Sequence, residues 1–350
     1  MRACVLRSAG GLDQISLADV PSPPPEALGP REVRVGIRAA ALNHLDLFVV
    51  RGLPGHDLRF PHVLGADGAG VVEAVGVEVR AVRPGDRVMI NPGISDYSCE
   101  YCRAGEHSLC VNYRLLGEHL PGTIAEVVVV PEANLARVPS LEPPLSWAEA
   151  AAFSLATLTA WRMVVTRARV ATGETVLVWG IGGGVSLAAM RIAKLRGARV
   201  IVTSSSDAKL AAAKRLGADL TVNHRTQKVA QAVRALTDRR GADVVVENVG
   251  EASWEESLRA LAKGGRLVTC GATTGPRVVT DVRRLFWNQY TIMGSTMGNA
   301  AEYQEIVRVL GQGVLRPVVD RVYPFEQARA AFERLERAEQ LGKIAVSISE

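Results

Sequence analysis

Hydrophobic and polar positions along this chain follow two rhythms. From residue 1 to about 130, short β-type runs such as Glu32–Ile37, Gly70–Val75, Asp86–Ile90 and Ala125–Val130 are broken by turn residues. Pro21, Pro23, Pro24, Pro25, Pro84-Gly85, Pro92-Gly93 and Pro121-Gly122 punctuate them, which predicts a β-rich, turn-dense region. After Pro143-Pro144 the character changes. Ser146 followed by Glu149 is a capping-box signal for an Ala-rich helix, and a longer helical stretch runs toward Val165. From Thr175, continuous apolar runs (Val176–Trp179, Arg199–Thr203, Leu220–Val222, Val244–Glu247, Arg266–Cys270) alternate with helical stretches. Those stretches are Val185–Arg196, Ala208–Leu216, Lys228–Thr237 and Trp254–Leu261. Strands apolar on both faces, each followed by a helix, predict an α/β unit built on a doubly wound parallel sheet. The tail from Gly294 adds two helices and a final strand, Ile344–Ile348. It is expected to return to the first part, giving a discontinuous domain, 1–157 with 295–350, around a central domain, 158–294.

Composition narrows the class. The chain has 350 residues, about two domains' worth, and 48% hydrophobic against 22% charged residues excludes disorder as its main character. No run of about 18 uncharged apolar residues exists, and Arg2 and Arg7 interrupt the apolar start, so neither a membrane span nor a secretory signal is expected. A cytoplasmic protein is the expectation. The formal charge is +5, and Lys supplies only 6 of the 41 basic residues. Arg is scattered and aromatics are only 5%, so a nucleic-acid stripe is not expected.

Two local constellations carry chemistry. Gly180, Gly182, Gly183 and Gly184 lie where an apolar run becomes a helix, the context in which a glycine-rich turn brings backbone N–H groups and a helix N-terminus onto a pyrophosphate. Val185 stands at the strict third-glycine spacing and Ser186 next to it, where a small side chain serves helix–strand packing. About 20 positions on, where NAD binding calls for an acid, the chain offers Ser204, Ser205 and Ser206, then Lys209. Hydroxyls and a cation suit a 2′-phosphate, with His224 and Arg225 as further positive candidates, so NADP(H) is expected over NAD(H). The alternative is that Ser206 or Asp207 merely caps a helix and Lys209 is solvated. The second constellation is Asp96, Cys99, Cys102 and Cys110, three thiols and a carboxylate within fifteen residues, a structural zinc ligand set. Free reduced thiols are the alternative.

The chain resembles the medium-chain dehydrogenase/reductase superfamily over essentially its whole length. The resemblance is carried by Ala41–Asp46 (ALNHLD), Pro61–Gly70 (PHVLGADGAG), Pro84–Val88 (PGDRV), the cysteine lobe, Thr157–Trp161 (TLTAW), the glycine-rich turn, Gly264–Val268 (GGRLV) and Ile292–Met297 (IMGSTM). It implies a Rossmann coenzyme domain, a β-rich GroES-like catalytic domain and a nicotinamide cofactor. It also implies that Asp96 takes the place of the first Cys of a four-Cys zinc lobe. Zinc-dependent alcohol dehydrogenases of the family hold a catalytic zinc where this chain has Asn43, Ala66 and a position near Leu155. Ala and Leu cannot bind a metal, so the catalytic zinc is expected to be absent and the chain to be similar to the quinone-oxidoreductase branch.

Without that metal, reducing a ketone leaves an alkoxide in need of an acid, whereas reducing a conjugated C=C or a quinone leaves a delocalised anion that hydrogen bonds can stabilise. NADPH-dependent reduction of an enone, enal or quinone is therefore expected, with alcohol dehydrogenation as the alternative. Asn43 is placed to donate its amide N–H to the substrate carbonyl. His44 lies by resemblance near the cofactor phosphates or the substrate, or else holds its loop. Asp67 orients a neighbour or is a buried structural carboxylate, and His119 is a further proton-donor candidate against a structural role. Thr159, Gly271 and Ser295 resemble the residues that line the nicotinamide site. The loops Arg51–Phe60 and Tyr113–Leu120 shape the substrate pocket. The family habit implies a homodimer or homotetramer, with Val278-Val279 at the interface.

Overall fold

A computed structural model describes residues 1–53 and 58–349, so part of the Arg51–Phe60 loop lies outside the described residues. The chain forms two compact units: Met1–Ala156 with Gly298–Glu350, and Thr157–Met297.

The first, discontinuous unit is β-rich. A hairpin of Arg2–Leu6 and Ile15–Asp19 pairs with His62–Val63. The main sheet has seven strands, two of them central to the argument: β1 (Glu32–Ala41) and β2 (Asp67–Val75), antiparallel to each other. Along β1 burial alternates strictly, with Val33, Val35 and Ile37 turned into the core, before both faces close over at Ala39–Ala41. That is the period of a strand with one wet face. Helix α1 (His44–Arg51) leaves the end of β1 and carries Leu47, Val49 and Val50 into the same core, which also holds Phe325 and Phe332.

The second unit holds six parallel strands: β3 (Thr175–Val178), β4 (Arg199–Ser204), β5 (Leu220–Asn223), β6 (Ala242–Glu247), β7 (Leu261–Thr269) and β8 (Thr291–Gly294). Their order is β5-β4-β3-β6-β7-β8, the doubly wound order whose direction reverses beside β3. Strands β3 and β6 are buried along their whole length, as their unbroken apolar sequence requires. Helices α2 (Gly184–Leu195) and α3 (Asp207–Arg215) follow β3 and β4. Helix α4 (Val282–Asn288) precedes the edge strand β8 and leaves Val282, Phe286 and Trp287 exposed.

Three details differ from the sequence reading. Strand β7 begins at Leu261, not Arg266, because Leu261 pairs with Ala242 before a register shift around Gly264 (φ 72°) resumes the ladder at Val244 and Arg266. The helix after Ser154 turns into a π-helix over Arg162–Arg167. The tail contains an unexpected strand, Val319–Pro324, an exposed edge whose charged sequence hides it. It runs parallel to β9 (Lys343–Ser347), which enters the middle of the sheet beside β1.

Candidate functional site

In the coenzyme-type unit, the turn after β3 is shaped by Gly180 (φ 65°) and Gly182 (φ 144°), a backbone region that side chains rarely enter. Thr203 fixes it from β4: its hydroxyl accepts from the Gly180 N–H at 3.2 Å and its carbonyl from the Ile181 N–H at 2.7 Å. Gly183 is the N-cap of α2 and has no atom within 4 Å of where a Cβ would stand, so space is open over the helix N-terminus. Gly184 and Val185 form the first turn of that helix. This open, N–H-rich cradle fits a pyrophosphate. Ser186 follows Val185, which stands at the third-glycine spacing. It is buried, and its hydroxyl donates to the Trp179 carbonyl at 2.8 Å and accepts from Asn248 Nδ2 at 3.0 Å, so it ties helix to strand through polar contacts.

Ser204 ends β4 and is buried, Ser205 is exposed, and Ser206 caps α3 by accepting from the Lys209 N–H. His224 stacks on Trp179 at 5.9 Å and hydrogen-bonds Thr203 through Nδ1 at 3.3 Å; burial lowers its imidazole below the ordinary value, so it is neutral at pH 7. No carboxylate stands at the tip of β4. Asp207, in the first turn of α3, is bound by the Asn223 amide at 2.7 Å. Gly271 follows β7. Ser295 follows β8, where its N–H donates to the Thr269 carbonyl and its buried hydroxyl has no partner. Thr159 is buried and its hydroxyl points at the Met297 sulfur, 3.7 Å away.

In the β-rich unit, the loop after Gly93–Ile94 gathers Asp96, Cys99, Cys102 and Cys110 with their ligand atoms within 4.8 Å of one another. The Asp96 Oδ1 to Cys102 Sγ separation is 3.5 Å. Tetrahedral zinc with bonds of about 2.0–2.3 Å places its ligands about 3.5–3.8 Å apart, so the set fits the ion. Asp96 is held well below the carboxylate range, first by the Ser98 N–H and then by the Asn112 amide. The Cys102 N–H draws the Cys99 thiol down to about 7, whereas burial pushes Cys102 up to about 12. Among the described residues this is the single group of three or more His, Cys, Asp or Glu side chains placed to hold a metal.

The positions where the resemblance places a catalytic zinc are closed by something else. Asp67, first residue of β2 and wholly buried, accepts three hydrogen bonds: from Asn43 Nδ2 at 3.0 Å, the Leu155 N–H at 2.8 Å and Lys343 Nζ at 2.8 Å. Lys343 also donates to Asn43 Oδ1 at 2.5 Å. The donor set does not fit a metal, because an ammonium sits among these groups and Ala66 and Leu155 bring no ligand atom. Of the two N–H donors of the Asn43 amide, expected to serve a substrate carbonyl, one is held by the Asp67 carboxylate. The remaining Nδ2 contact, to the Ala41 carbonyl, is 3.5 Å long. Sequence reasoning missed Lys343, which lies 300 residues from Asn43. One signal pointed to it: it is the sole lysine of its unit in an arginine-dominated chain.

Around this knot, Asp46 accepts from the Asn43 N–H, and burial raises its carboxyl to about 7, with Oδ1 left unpartnered. His44, half-buried, is lowered by burial and then by the charges of Lys343 and Arg51. His119 uses Nδ1 to accept the Leu115 N–H at 3.2 Å, closing its own loop, with Glu118 3.9 Å away.

A glycine-rich turn on a doubly wound sheet, with a β-rich unit carrying a cysteine lobe, is the two-unit design of a nucleotide-dependent oxidoreductase. The comparisons with known proteins agree. The alcohol dehydrogenase GroES-like domain family matches residues 29–140, and the zinc-binding dehydrogenase family matches residues 184–312. An NAD-dependent alcohol dehydrogenase of Sulfurisphaera tokodaii is 32% identical, covering 98% of this chain and 99% of its own. A solved NAD-dependent alcohol dehydrogenase is 48% identical with a TM-score of 0.95, covering both chains in full. The 2-octenoyl-CoA carboxylase reductase CinF, solved with NADP and 2-octenoyl-CoA, is 30% identical with a TM-score of 0.90, over 100% of this chain and 88% of that one. The chain belongs to the medium-chain dehydrogenase/reductase superfamily and is an NAD(P)-dependent oxidoreductase. Among the described residues no helix is long and apolar enough to cross a membrane.

Proposed function

We propose that this protein is a cytoplasmic reductase that adds hydride to a conjugated carbonyl (an enone, enal or quinone) from NADPH and without a catalytic zinc. The observation that supports it is the Asn43–Asp67–Lys343 knot, which fills the positions where zinc-dependent members of the family hold their metal. The bound reduced nicotinamide supplies the hydride. The Gly180–Gly184 turn and the N-terminus of α2 hold the pyrophosphate, Ser204, Ser205, Lys209 and His224 face the 2′-phosphate, and Thr159, Gly271 and Ser295 border the nicotinamide. Hydrogen bonds suffice for the rest, because the negative charge left by conjugate addition is spread over carbon and oxygen and asks less of its surroundings than an alkoxide. His44 and Asn43 are the candidate residues of the β-rich unit for the substrate carbonyl. Asp96, Cys99, Cys102 and Cys110 hold a structural zinc that keeps the lobe folded.

Alcohol dehydrogenation is the second reading, favoured by the 48% identical alcohol dehydrogenase structure. It requires His119 or His44 as the acid. Incubation with NADPH and an α,β-unsaturated aldehyde separates the two: a saturated aldehyde supports conjugate reduction, and an allylic alcohol refutes it. We also propose self-association at the β8 edge, where Val279 is 90% and Trp287 77% exposed, a cost that a second copy of the chain removes. A monomeric mass in solution overturns that proposal.

A further inference from the structure

The cysteine lobe differs from a four-thiolate site at one ligand, and that ligand brings a requirement of its own. A thiolate offers a metal one sulfur, whereas a carboxylate offers two oxygens and about four lone-pair directions. A tetrahedral site uses one of them. Asp96 is also the exposed member of the set, while Cys99 is half-buried and Cys102 and Cys110 are buried. A carboxylate free to turn in water would trade its metal bond for solvent or present both oxygens at once. Something has to fix which oxygen faces the sulfurs.

Two sets of contacts do so, all within the β-rich unit. Oδ1 of Asp96 accepts the Ser98 N–H at 2.8 Å and the Cys99 N–H at 3.1 Å, and it lies 3.5 Å from Cys102 Sγ. Oδ2 accepts the side-chain amide of Asn112 at 2.7 Å. The backbone N–H of the same Asn112 donates to Cys110 Sγ at 3.4 Å, as does that of Asp96. Asn112 therefore touches the ligands at both ends of the lobe, an oxygen through its side chain and a sulfur through its backbone. The Ser98 and Cys99 contacts are main-chain ones that any sequence supplies, whereas the amide is particular to Asn112. A thiolate at position 96 would give that amide no second atom to hold.

We propose that Asn112 is the positioning residue of the metal lobe: its amide holds Asp96 Oδ2, leaves Oδ1 as a single-oxygen fourth ligand beside three thiolates, and so sets how tightly the lobe retains zinc. Hydrogen-bond partners behind a metal ligand carry about 10–100-fold of metal affinity. The side chain of Asn112 is exposed, so a change there acts on the carboxylate without opening a core.

The proposal rests on the structural-zinc reading of the lobe, and metal analysis of the purified full-length protein tests that reading by itself. Zinc affinity is then measured by competition with a chromophoric chelator for the wild type, Asn112→Leu, Asp96→Cys and the double variant. Leucine keeps the volume of asparagine and removes the donor. Asn112→Leu is expected to lose about 10–100-fold in affinity. In the Asp96→Cys background the same substitution is expected to change affinity less than about threefold, because no Oδ2 remains to be held. A loss of equal size in both backgrounds means that Asn112 only shapes the loop, and it overturns the proposal. An Asn112→Leu affinity within about threefold of wild type overturns it as well. If Asn112→Leu fails to fold, Asn112→Ala is judged by the same two comparisons; if Asp96→Cys fails to fold or to bind zinc, Asp96→Ala replaces it as the background. A wild type that holds no zinc and takes up none on titration removes the zinc reading and the proposal together, whereas a zinc-loaded wild type matched by Asn112→Leu removes the proposal alone.

Discussion

Replacing Asp67 with alanine isolates what the knot contributes to stability. The carboxylate is wholly buried and accepts three hydrogen bonds, one of them from the ammonium of Lys343, itself 5% exposed. Truncation leaves a buried cation without its counter-charge, a loss of about 3–5 kcal/mol. It also orphans the Leu155 N–H, worth about 1–3 kcal/mol more. The expected total is about 5 kcal/mol, a large share of the stability of any domain. Lys343→Met alone strands the carboxylate and costs about 3–5 kcal/mol. The double variant removes both charges, so it is expected to be about 2 kcal/mol more stable than Asp67→Ala despite carrying one more substitution. Hydrogen–deuterium exchange of peptides covering β1 and β9 reports this unit by itself, and 5 kcal/mol there is more than about a thousandfold in exchange rate. A double variant whose loss equals the sum of the two single losses would refute the ion pair as the centre of the knot.

Other consequences can be checked separately. Asp46 has a folded-state value raised to about 7, above its ordinary 3.8, so its contribution is full below the unfolded value and is lost as pH rises from there through 7. Asp46→Asn, which keeps an acceptor for the Asn43 N–H, is therefore expected to stabilise the protein above pH 7, by at most about 4 kcal/mol, and to do nothing at pH 3; equal unfolding midpoints at pH 8 would contradict this. Purified protein is expected to release one zinc per chain on thiol modification, and Cys102→Ser to abolish that release and lower the melting temperature with NADPH binding intact, as metal analysis and calorimetry will show. Ser205→Asp, at an exposed position, is expected to raise the KM for NADPH about tenfold or more and leave that for NADH within about threefold, because a carboxylate repels a 2′-phosphate. Steady-state kinetics with both cofactors decides it.

How much of this was legible in the sequence follows from how far apart the interacting groups are. The parallel sheet shows as uninterrupted apolar runs because β3 and β6 are buried on both faces, and nothing but an apolar run suits that position. The pyrophosphate turn and the cysteine lobe each lie within about fifteen residues, so residue order alone brings their groups together. Ser186 shows the limit of a motif read literally: the helix–strand contact that a glycine makes by lacking a side chain is made here by a hydroxyl. Strand Val319–Pro324 escaped because an exposed edge keeps its charges. The knot escaped for a topological reason. Asn43 and Asp67 are 24 residues apart, and Lys343 is a further 276 along the chain, so only the entry of β9 beside β1 assembles them. A polar side chain whose partners are that remote is indistinguishable in sequence from a solvated one.

The discontinuous unit sets a timetable for synthesis. At about 5–20 residues per second, a ribosome needs about 15–60 s to travel the 300 residues between Asn43 and Lys343. During that interval the whole of Thr157–Met297 emerges and can close its own sheet, while the Ala39–Ala41 end of β1 waits for the strand that will carry the ammonium. The nascent chain can thus close its nucleotide fold before the strand that completes the buried Asn43–Asp67–Lys343 cluster has been made.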